Sequence, residues 1–566
     1  MQLLSQGGQP QSPPPVDSRG FLRLPEDIAA SRACIKAKKV GIILLVIAAL
    51  IQPFIDPDPA NSLCTLIIVA ASLITWEVCL RAKMIRAAPL PTYATLAFNF
   101  ATLSGALLAQ SFTFRAVTFN LQVPLLTFSL CAVHQLFVLF TLVLFARTYT
   151  LRSISEFLNR AVLTPMGAMK PPSEFQLWGM GLIGIVIMLW GAGQIAQGGV
   201  QTGDVGGKFA VAFSFLTYAP FLIPATATLL GAPSFRMSRR TWIMIVLFFG
   251  LVLFAAIARN SRGTFAIAIT NLGIATFFSV LIGQFQMTKK IKKILAVGAL
   301  ALALIAPAIS DLAIAMVLAR SYRGDVSPLE LVEKTIEAYS DKEGIEAYNA
   351  NWDLKLGSTV YSETYVDNPF INRFVTLKFF DNTIALERVR SGEFSGELWR
   401  RFGIQIGALL PAQVVNFMGM QIDKNDVFFS MGDFLLYLEK GVPVGGFKGG
   451  SVIGHGLGLL SYGYVILIIP IYIFFFTMIQ SFGTSRNGSL AFSAVVLFML
   501  VETWFTMAGD SFAVLVASTL RHYPQKLLIY VFIFHLLGFT QRIAGPLLAP
   551  LFGKRIRGQN VRERYI

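Results

Sequence analysis

Windows of about eighteen or more apolar residues recur along this 566-residue chain, each long enough to cross the ~30 Å of bilayer hydrocarbon. A backbone inside hydrocarbon finds no water, so it must satisfy its own hydrogen bonds as helices or as a sealed barrel. Barrel strands would read as ~10-residue segments of alternating hydropathy, and the sequence has none. The expected fold class is an all-α polytopic membrane protein with about 12 transmembrane helices. The spans fall at residues 40–54, 63–79, 93–110, 123–145, 177–195, 209–230, 242–258, 264–282, 294–318, 455–478, 490–508 and 527–539. A shorter apolar piece, 511–520, is expected to lie re-entrant or at the interface.

One long polar stretch, 320–454, interrupts this pattern. It holds 14 Lys+Arg against 18 Asp+Glu, whereas the whole chain has 47 against 31. The basic surplus therefore lies in the short loops, and it alternates. Arg32, Lys36, Lys38 and Lys39 precede the first span, Arg81, Lys83 and Arg86 follow the second, and Lys289, Lys290, Lys292 and Lys293 follow the eighth. Arg542, Lys554, Arg555, Arg557, Arg562 and Arg564 close the chain, while the intervening loops hold Asp56, Asp58 and Asp204. The positive-inside rule then puts both termini in the cytoplasm and the large loop outside. The expected organisation is a disordered Pro-rich cytoplasmic tail at 1–39, helices one to nine at 40–319, and an extracytoplasmic, mainly helical loop domain at 320–454. Helices ten to twelve at 455–541 and a basic cytoplasmic tail at 542–566 complete it. With pI 9.7 explained by topology, no nucleic-acid partner is implied; the bilayer is the partner. Cys34, Cys64, Cys79 and Cys131 show no metal-ligand spacing, and none falls in the loop, so no disulfide framework and no metal site are expected.

Two outer connections break the charge rule. Arg115 sits between spans three and four, and the turn Arg259-Asn260-Ser261-Arg262-Gly263 joins spans seven and eight. Span eight points its N-terminus outward, Ser261 is a candidate N-cap, and Gly263 permits close backbone approach. Guanidinium forks beside a helix N-terminus suit a phosphate; the alternative is a pair of arginines anchoring a turn among headgroups. The loop's Gly-rich exit, Gly449 to Gly458, places His455 at the outward end of span ten, a candidate general base or simply a histidine bonded at a helix end. Asp311, Glu502 and Asp510 are acids near the outer face, candidate bases or partners of the outer arginines, and His134 is expected to bond between helices. In the loop, 328–349 reads as one or two amphipathic helices. Tyr361, Tyr365, Arg373, Phe379, Phe380, Asp381, Trp399, Arg400 and Arg401 mix rings with charges in the manner of a sugar groove, or make a small domain's core.

With these residues in view, the chain resembles the bacterial oligosaccharide repeat-unit (O-antigen) polymerases, relatives of the O-antigen ligases. The resemblance rests on Ser261-Arg262-Gly263 with Gly273 eleven positions after Arg262, and on Pro411 and Lys424 ahead of Gly450-Ser451, Gly454 and Tyr462-Gly463. An acid near position 455 is common in the polymerases, and His455 is closer to the ligases, so both activities stand as expectations. The resemblance implies a polyprenyl-pyrophosphate-linked oligosaccharide as substrate on the outer face of the bacterial plasma membrane, its lipid tail in a groove between spans. Arg259, Arg262, Arg115 and Arg323 would hold the pyrophosphate; His455, Glu502 or Asp311 would take the acceptor's proton. Tyr361, Arg373, Trp399 and Arg400 would bind saccharide. No cofactor is implied, because pyrophosphate already leaves readily, and a chain-length regulator and a flippase are the protein partners. The rival from another class is a flippase for the same lipid, which should show two related halves and polar interruptions at mid-membrane depth.

Overall fold

The computed structural model describes residues 25–190, 195–196, 199–200, 212–285, 287–322, 326–350, 361–368, 371–390, 393–410, 412–419, 422, 429–446, 448–486 and 489–552. The stretch ahead of Pro25, Asp204, Arg323, Pro411, Lys424 and the basic residues 554–564 lie outside them, and Arg262 is described by its backbone alone. Among the described residues the chain is helical apart from two antiparallel hairpins, Ile195–Ala196 with Gly199–Val200 and Gly483–Arg486 with Ser489–Phe492. Seven helices are long and apolar enough to cross a membrane: Pro59–Cys79, Pro89–Phe112, Pro124–Arg147, Arg239–Ala258, Gly263–Leu281, Val452–Ser481 and Phe512–Ile543. Pro25–Ile55, Glu174–Trp190 and the 3-10 segment Ser214–Ala225 pack with them, while Lys289–Leu318 packs on the helices Pro328–Ser340 and Lys342–Ala350 that follow it.

Three of the long helices open on proline, at Pro59, Pro89 and Pro124, where the missing N–H is one that a first turn leaves unbonded anyway. Large apolar side chains such as Ile43, Val246, Leu247 and Ile466 point outward, as a surface bathed in lipid requires. Polar side chains instead point between helices. Gln135 donates to Thr75 Oγ1 at 3.1 Å, and the His134 ring bonds Tyr472 at 3.2 Å, the interhelical role expected of it.

Three irregularities shape the bundle. The Pro89–Phe112 run passes through a π-helical turn at Phe100–Ser104. The run Val452–Ser481 breaks at Ser461, whose φ is +49°, so His455 belongs to a separate nine-residue helix, Val452–Leu460, rather than to the span itself. Between Ala494–Phe498 and Leu500–Ala508 the helix is interrupted at Met499; buried Asn271 bridges the gap, its Nδ2 donating to Phe498 O and its Oδ1 accepting from Val501 N, both at 3.4 Å. The apolar piece 511–520 is not an isolated interfacial segment. It forms the opening turns of one long helical run, Phe512–Ile543, which continues through a π-helical turn at Ser518–His522 rather than ending there.

The polar insertion is sewn onto one end of this bundle. It opens with two helices, Pro328–Ser340, started by a Ser327/Glu330 capping box, and Lys342–Ala350. Deeper in, helix Leu377–Arg390 packs on the bundle through Phe380 against Phe98, ring centroids 6.0 Å apart. Asp381, open in the sequence between a sugar groove and a domain core, is fully buried: it accepts from Gln122 N at 2.8 Å, Val123 N at 3.0 Å and Thr127 Oγ1 at 3.2 Å, and pairs with buried Lys378 at 2.9 Å. It thereby caps helix Pro124–Arg147 from outside the helix's own sequence. Tyr365 is likewise internal, its hydroxyl donating to Val117 O at 2.7 Å. The glycines at the insertion's exit serve helix packing. A Cβ on Gly454 would overlap Thr383, and one on Gly458 would lie 2.7 Å from Glu387 Oε1, so two helices cross in contact there.

Candidate functional site

The end of the bundle beneath the insertion holds a cluster of charged side chains drawn from four segments. Arg259 caps the C-terminus of Arg239–Ala258, and Asn260, at φ +48°, turns the chain into Arg262–Leu281 while its amide donates to Met316 O at 2.7 Å. Tyr218, on Ser214–Ala225, lies within electrostatic reach of Arg259 and Glu502 and beside Thr264. Glu502, on Leu500–Ala508, forms an ion pair with Lys526, and the neighbouring Thr503 and Tyr523 hydroxyls bond at 2.6 Å. His522 faces Glu502, Lys526 and Arg521. The insertion brackets the cluster: Pro328–Ser340 packs on Arg239–Ala258, and Ser395–Gly407 on Phe512–Ala517. A partly exposed carboxylate paired with a lysine and faced by a histidine can accept a proton, and the arginines farther out, Arg259 beyond Tyr218 and Arg521 beside His522, can attract an anionic group.

Of the residues singled out from the sequence, Arg259 and Glu502 each lie within electrostatic reach of Tyr218. The backbone of Arg262 opens the adjoining helix, and Ser261 occupies its N-cap position without a side-chain cap bond; its Oγ accepts from Thr264 Oγ1 at 3.0 Å instead. A Cβ on Gly263 or Gly273 would meet nothing within 4 Å, so neither glycine is required by close packing.

The other candidates are engaged elsewhere. Arg115 pairs with Asp367 at 2.9 Å and stacks on Phe119, fastening the insertion to the 113–123 loop. Asp311 pairs with Lys342 at 2.9 Å on the surface. His455 is 0% exposed between Phe402 and Phe512, both ring centroids 5.8 Å away. Its Nδ1 accepts from Phe512 N at 3.2 Å, which leaves Nε2 as the proton-bearing nitrogen of the neutral ring, and Nε2 has no hydrogen-bond partner among the described residues. That geometry suits a packing or donor role better than proton abstraction. Asp510 accepts from Gly450 N at 2.6 Å and Met431 N at 2.8 Å; burial pushes its carboxyl up and these donors pull it back. The expected saccharide residues do not converge. Tyr361 is buried with its hydroxyl on Gly449 O, Trp399 Nε1 donates to Leu459 O at 3.1 Å, Arg400 pairs with Glu397 at 2.9 Å on the surface, and Arg373 is exposed on a 3-10 turn. Arg401 is buried, lying 3.8 Å from the Phe429 ring centroid and donating to Phe429 O at 2.8 Å.

Sequence reasoning missed Tyr218, Arg521, His522 and Lys526. The signal for three of them was present: Arg521, His522 and Lys526 stand ahead of the last span on the side that the charge rule disfavours, as Arg259 does. It also missed Glu387, whose carboxyl burial beside Glu439 pushes up to about 7. No protein-family model matches this chain, and no curated protein or solved structure matches it.

Proposed function

We propose that this chain is a glycosyltransferase of the bacterial plasma membrane that polymerises polyprenyl-pyrophosphate-linked oligosaccharide repeat units on the outer face. In this reading the chain crosses the membrane twelve times, with both termini cytoplasmic and the insertion outside. The observation that supports it is the Glu502–Lys526 ion pair with His522 facing both, and Tyr218 within electrostatic reach of Glu502 and of Arg259. The pyrophosphate would sit on the basic side chains. The acceptor sugar's hydroxyl oxygen attacks the anomeric carbon of the donor, its proton passes to the Glu502 carboxylate, and the bond from anomeric carbon to phosphate oxygen breaks. Polyprenyl pyrophosphate leaves with the electron pair, its charge held by Arg259, Arg521 and Lys526. The Lys526 ammonium orients the Glu502 carboxylate through a charge-assisted hydrogen bond.

The test uses cells lacking the gene, complemented with wild type, Glu502→Gln or Arg259→Lys, and reads lipid-linked and surface glycans on a gel. Single repeat units accumulating on lipid with loss of the long ladder, in both the deletion and Glu502→Gln, are expected. Finished chains stranded on carrier lipid would make the protein a ligase. An unchanged ladder in the deletion would refute glycan assembly altogether.

A flippase for the same lipid is favoured by one feature, the interrupted helix at Met499 bridged by buried Asn271, since transporters build substrate sites at such breaks. Repeat units trapped on the cytoplasmic leaflet of deletion cells would select that reading.

A further inference from the structure

A cavity of about 930 Å³ forms a lateral trough between helix Pro25–Ile55, the Pro89–Phe112 run, helix Arg262–Leu281 and Trp504. Helix Pro25–Ile55 contributes one face at helical spacing: Ala29, Ala33, Ala37 and Gly41 keep the floor low, and Val40 and Leu44 carry it onward. From Ala29 to Leu44 that face runs fifteen rises, about 22 Å, longer than the ~15 Å of hydrocarbon in one leaflet. Aromatic walls at Trp76, Phe100 and Trp504 close its sides, with Phe100 and Trp504 edge to face at 5.1 Å.

One end of the trough is basic. Arg32, Lys36 and Lys292 line it, are exposed, and form no ion pair among the described residues. Nearby cations do find acids: Lys38 pairs with Glu77 at 2.8 Å, and Arg86 with Glu26 and Asp27. So acids are within reach on this side of the bundle, yet the trough's rim has been left cationic. This end is far from the Arg259 cluster. Cys34 Sγ touches Leu281 O, at the C-terminal end of the helix that Arg262 opens, so Arg32 and Arg259 sit at opposite ends of the bundle.

We infer that the trough binds an acyl chain of an anionic glycerophospholipid from the leaflet at its basic end, whose headgroup phosphate is held by Arg32, Lys36 and Lys292. The apolar length takes the chain, the three cations, which form no ion pair among the described residues, take the phosphate, and a zwitterionic headgroup gains less from them. The inference stands apart from the proposed glycan chemistry, which uses the other end of the bundle.

The experiment is native mass spectrometry of the full-length protein in detergent with added phosphatidylglycerol or phosphatidylcholine. One phosphatidylglycerol per chain is expected to be retained in preference to phosphatidylcholine. Arg32→Gln/Lys36→Gln is expected to weaken retention about 30-fold, from two lost basic contacts at the surface. Ala37→Phe, which fills the trough, should abolish retention. Equal retention of the two lipids by wild type, or unaltered retention by the double variant, overturns the inference. A cross-link from Ala37→Cys to the stretch ahead of Pro25 in the purified protein would overturn it too, by showing that the chain fills its own trough. If the variants do not purify, wild type alone decides: melting raised by phosphatidylglycerol and not by phosphatidylcholine is expected, and equal melting refutes.

Discussion

Asp381 fastens the insertion to the bundle, and replacing it isolates that fastening. Its carboxylate is 0% exposed and receives Lys378 Nζ, two backbone N–H groups and the Thr127 hydroxyl. In Asp381→Ala the Lys378 side chain, 3% exposed, keeps a charge with nothing opposite it, which costs ~3–5 kcal/mol in a buried pair. The stranded donors of Gln122 and Val123 add ~1–3 kcal/mol each, though these costs overlap rather than sum. Lysine can shed its proton to escape part of the charge cost, so a net loss of about 4 kcal/mol is expected. Asp381→Asn should fare nearly as badly, since an amide offers one oxygen to four donors and turns its NH₂ on the rest. Lys378→Met should cost about half as much, because the carboxylate keeps all three donors of the helix head. Adding Lys378→Met to Asp381→Asn should recover stability relative to Asp381→Asn alone. The assay is thermal unfolding of detergent-purified protein by tryptophan fluorescence, with limited proteolysis reporting release of the insertion. Wild-type melting in both Asp381 variants would refute the reasoning, as would a double variant worse than the sum of the singles.

Glu387 predicts a pH effect of definite sign. Its folded-state carboxyl lies near pH 7 against an ordinary value of 4.5, so the stability it contributes is present below about pH 4.5 and lost as pH rises through about 7. The loss is at most about 3 kcal/mol before solvent screening, and Glu387→Gln should flatten melting temperature across that window. Gly454→Ala should destabilise by ~1–3 kcal/mol because its Cβ meets Thr383 close to that residue's own backbone, whereas Gly458→Ala should cost less, as Leu398 and Glu387 present movable side-chain ends; equal melting of the two would refute the crossing. Asn271→Leu should lower stability by ~1–3 kcal/mol by orphaning Val501 N–H and Phe498 O at the helix break, and a neutral result in a melting assay would deny Asn271 that bridging role. Arg262→Lys should cut glycan polymerisation heavily at normal expression, since a point charge does not replace a guanidinium fork; full activity would remove Arg262 from the site.

The apolar windows made the helical membrane fold legible, because a period-free apolar run of span length has few other destinations in a folded chain. Breaks inside those runs were harder to see. Ser461 and Met499 carry no proline or charge, and their irregular backbone is decided by what packs alongside, such as Asn271 from a distant helix. Arg259 was visible as an exception to charge alternation, and Glu502 as an acid in an apolar run. Arg521 and Lys526 obeyed the same logic as Arg259 but were obscured by treating 511–520 as a separate piece. Asp381 and Tyr365 stood open between a sugar groove and a domain core for another reason. Composition cannot tell a ring and a carboxylate facing a sugar from the same pair buried against another helix, and only distant segments decide it, 122–127 for Asp381 and Gln110 and Val117 for Tyr365.

The fastenings of the insertion also order its assembly during synthesis. Gln110 to Tyr365 O, Thr376 N to Ala101 O, and Asp381 to Val123 N join it to helices made some 250 to 275 residues earlier, which are already in place when it emerges. Asp510, which holds Gly450 and Met431, is made 60 and 79 residues later. The insertion therefore docks in two strokes, first onto waiting helices and then under a clasp delivered by the final hairpin. Between them, a ribosome-tethered chain ending before Asp510 carries a half-fastened domain whose Gly450 and Met431 N–H groups are still open. Such long-range closures are slow to form, which makes that interval the point at which a quality-control protease would find the chain most easily.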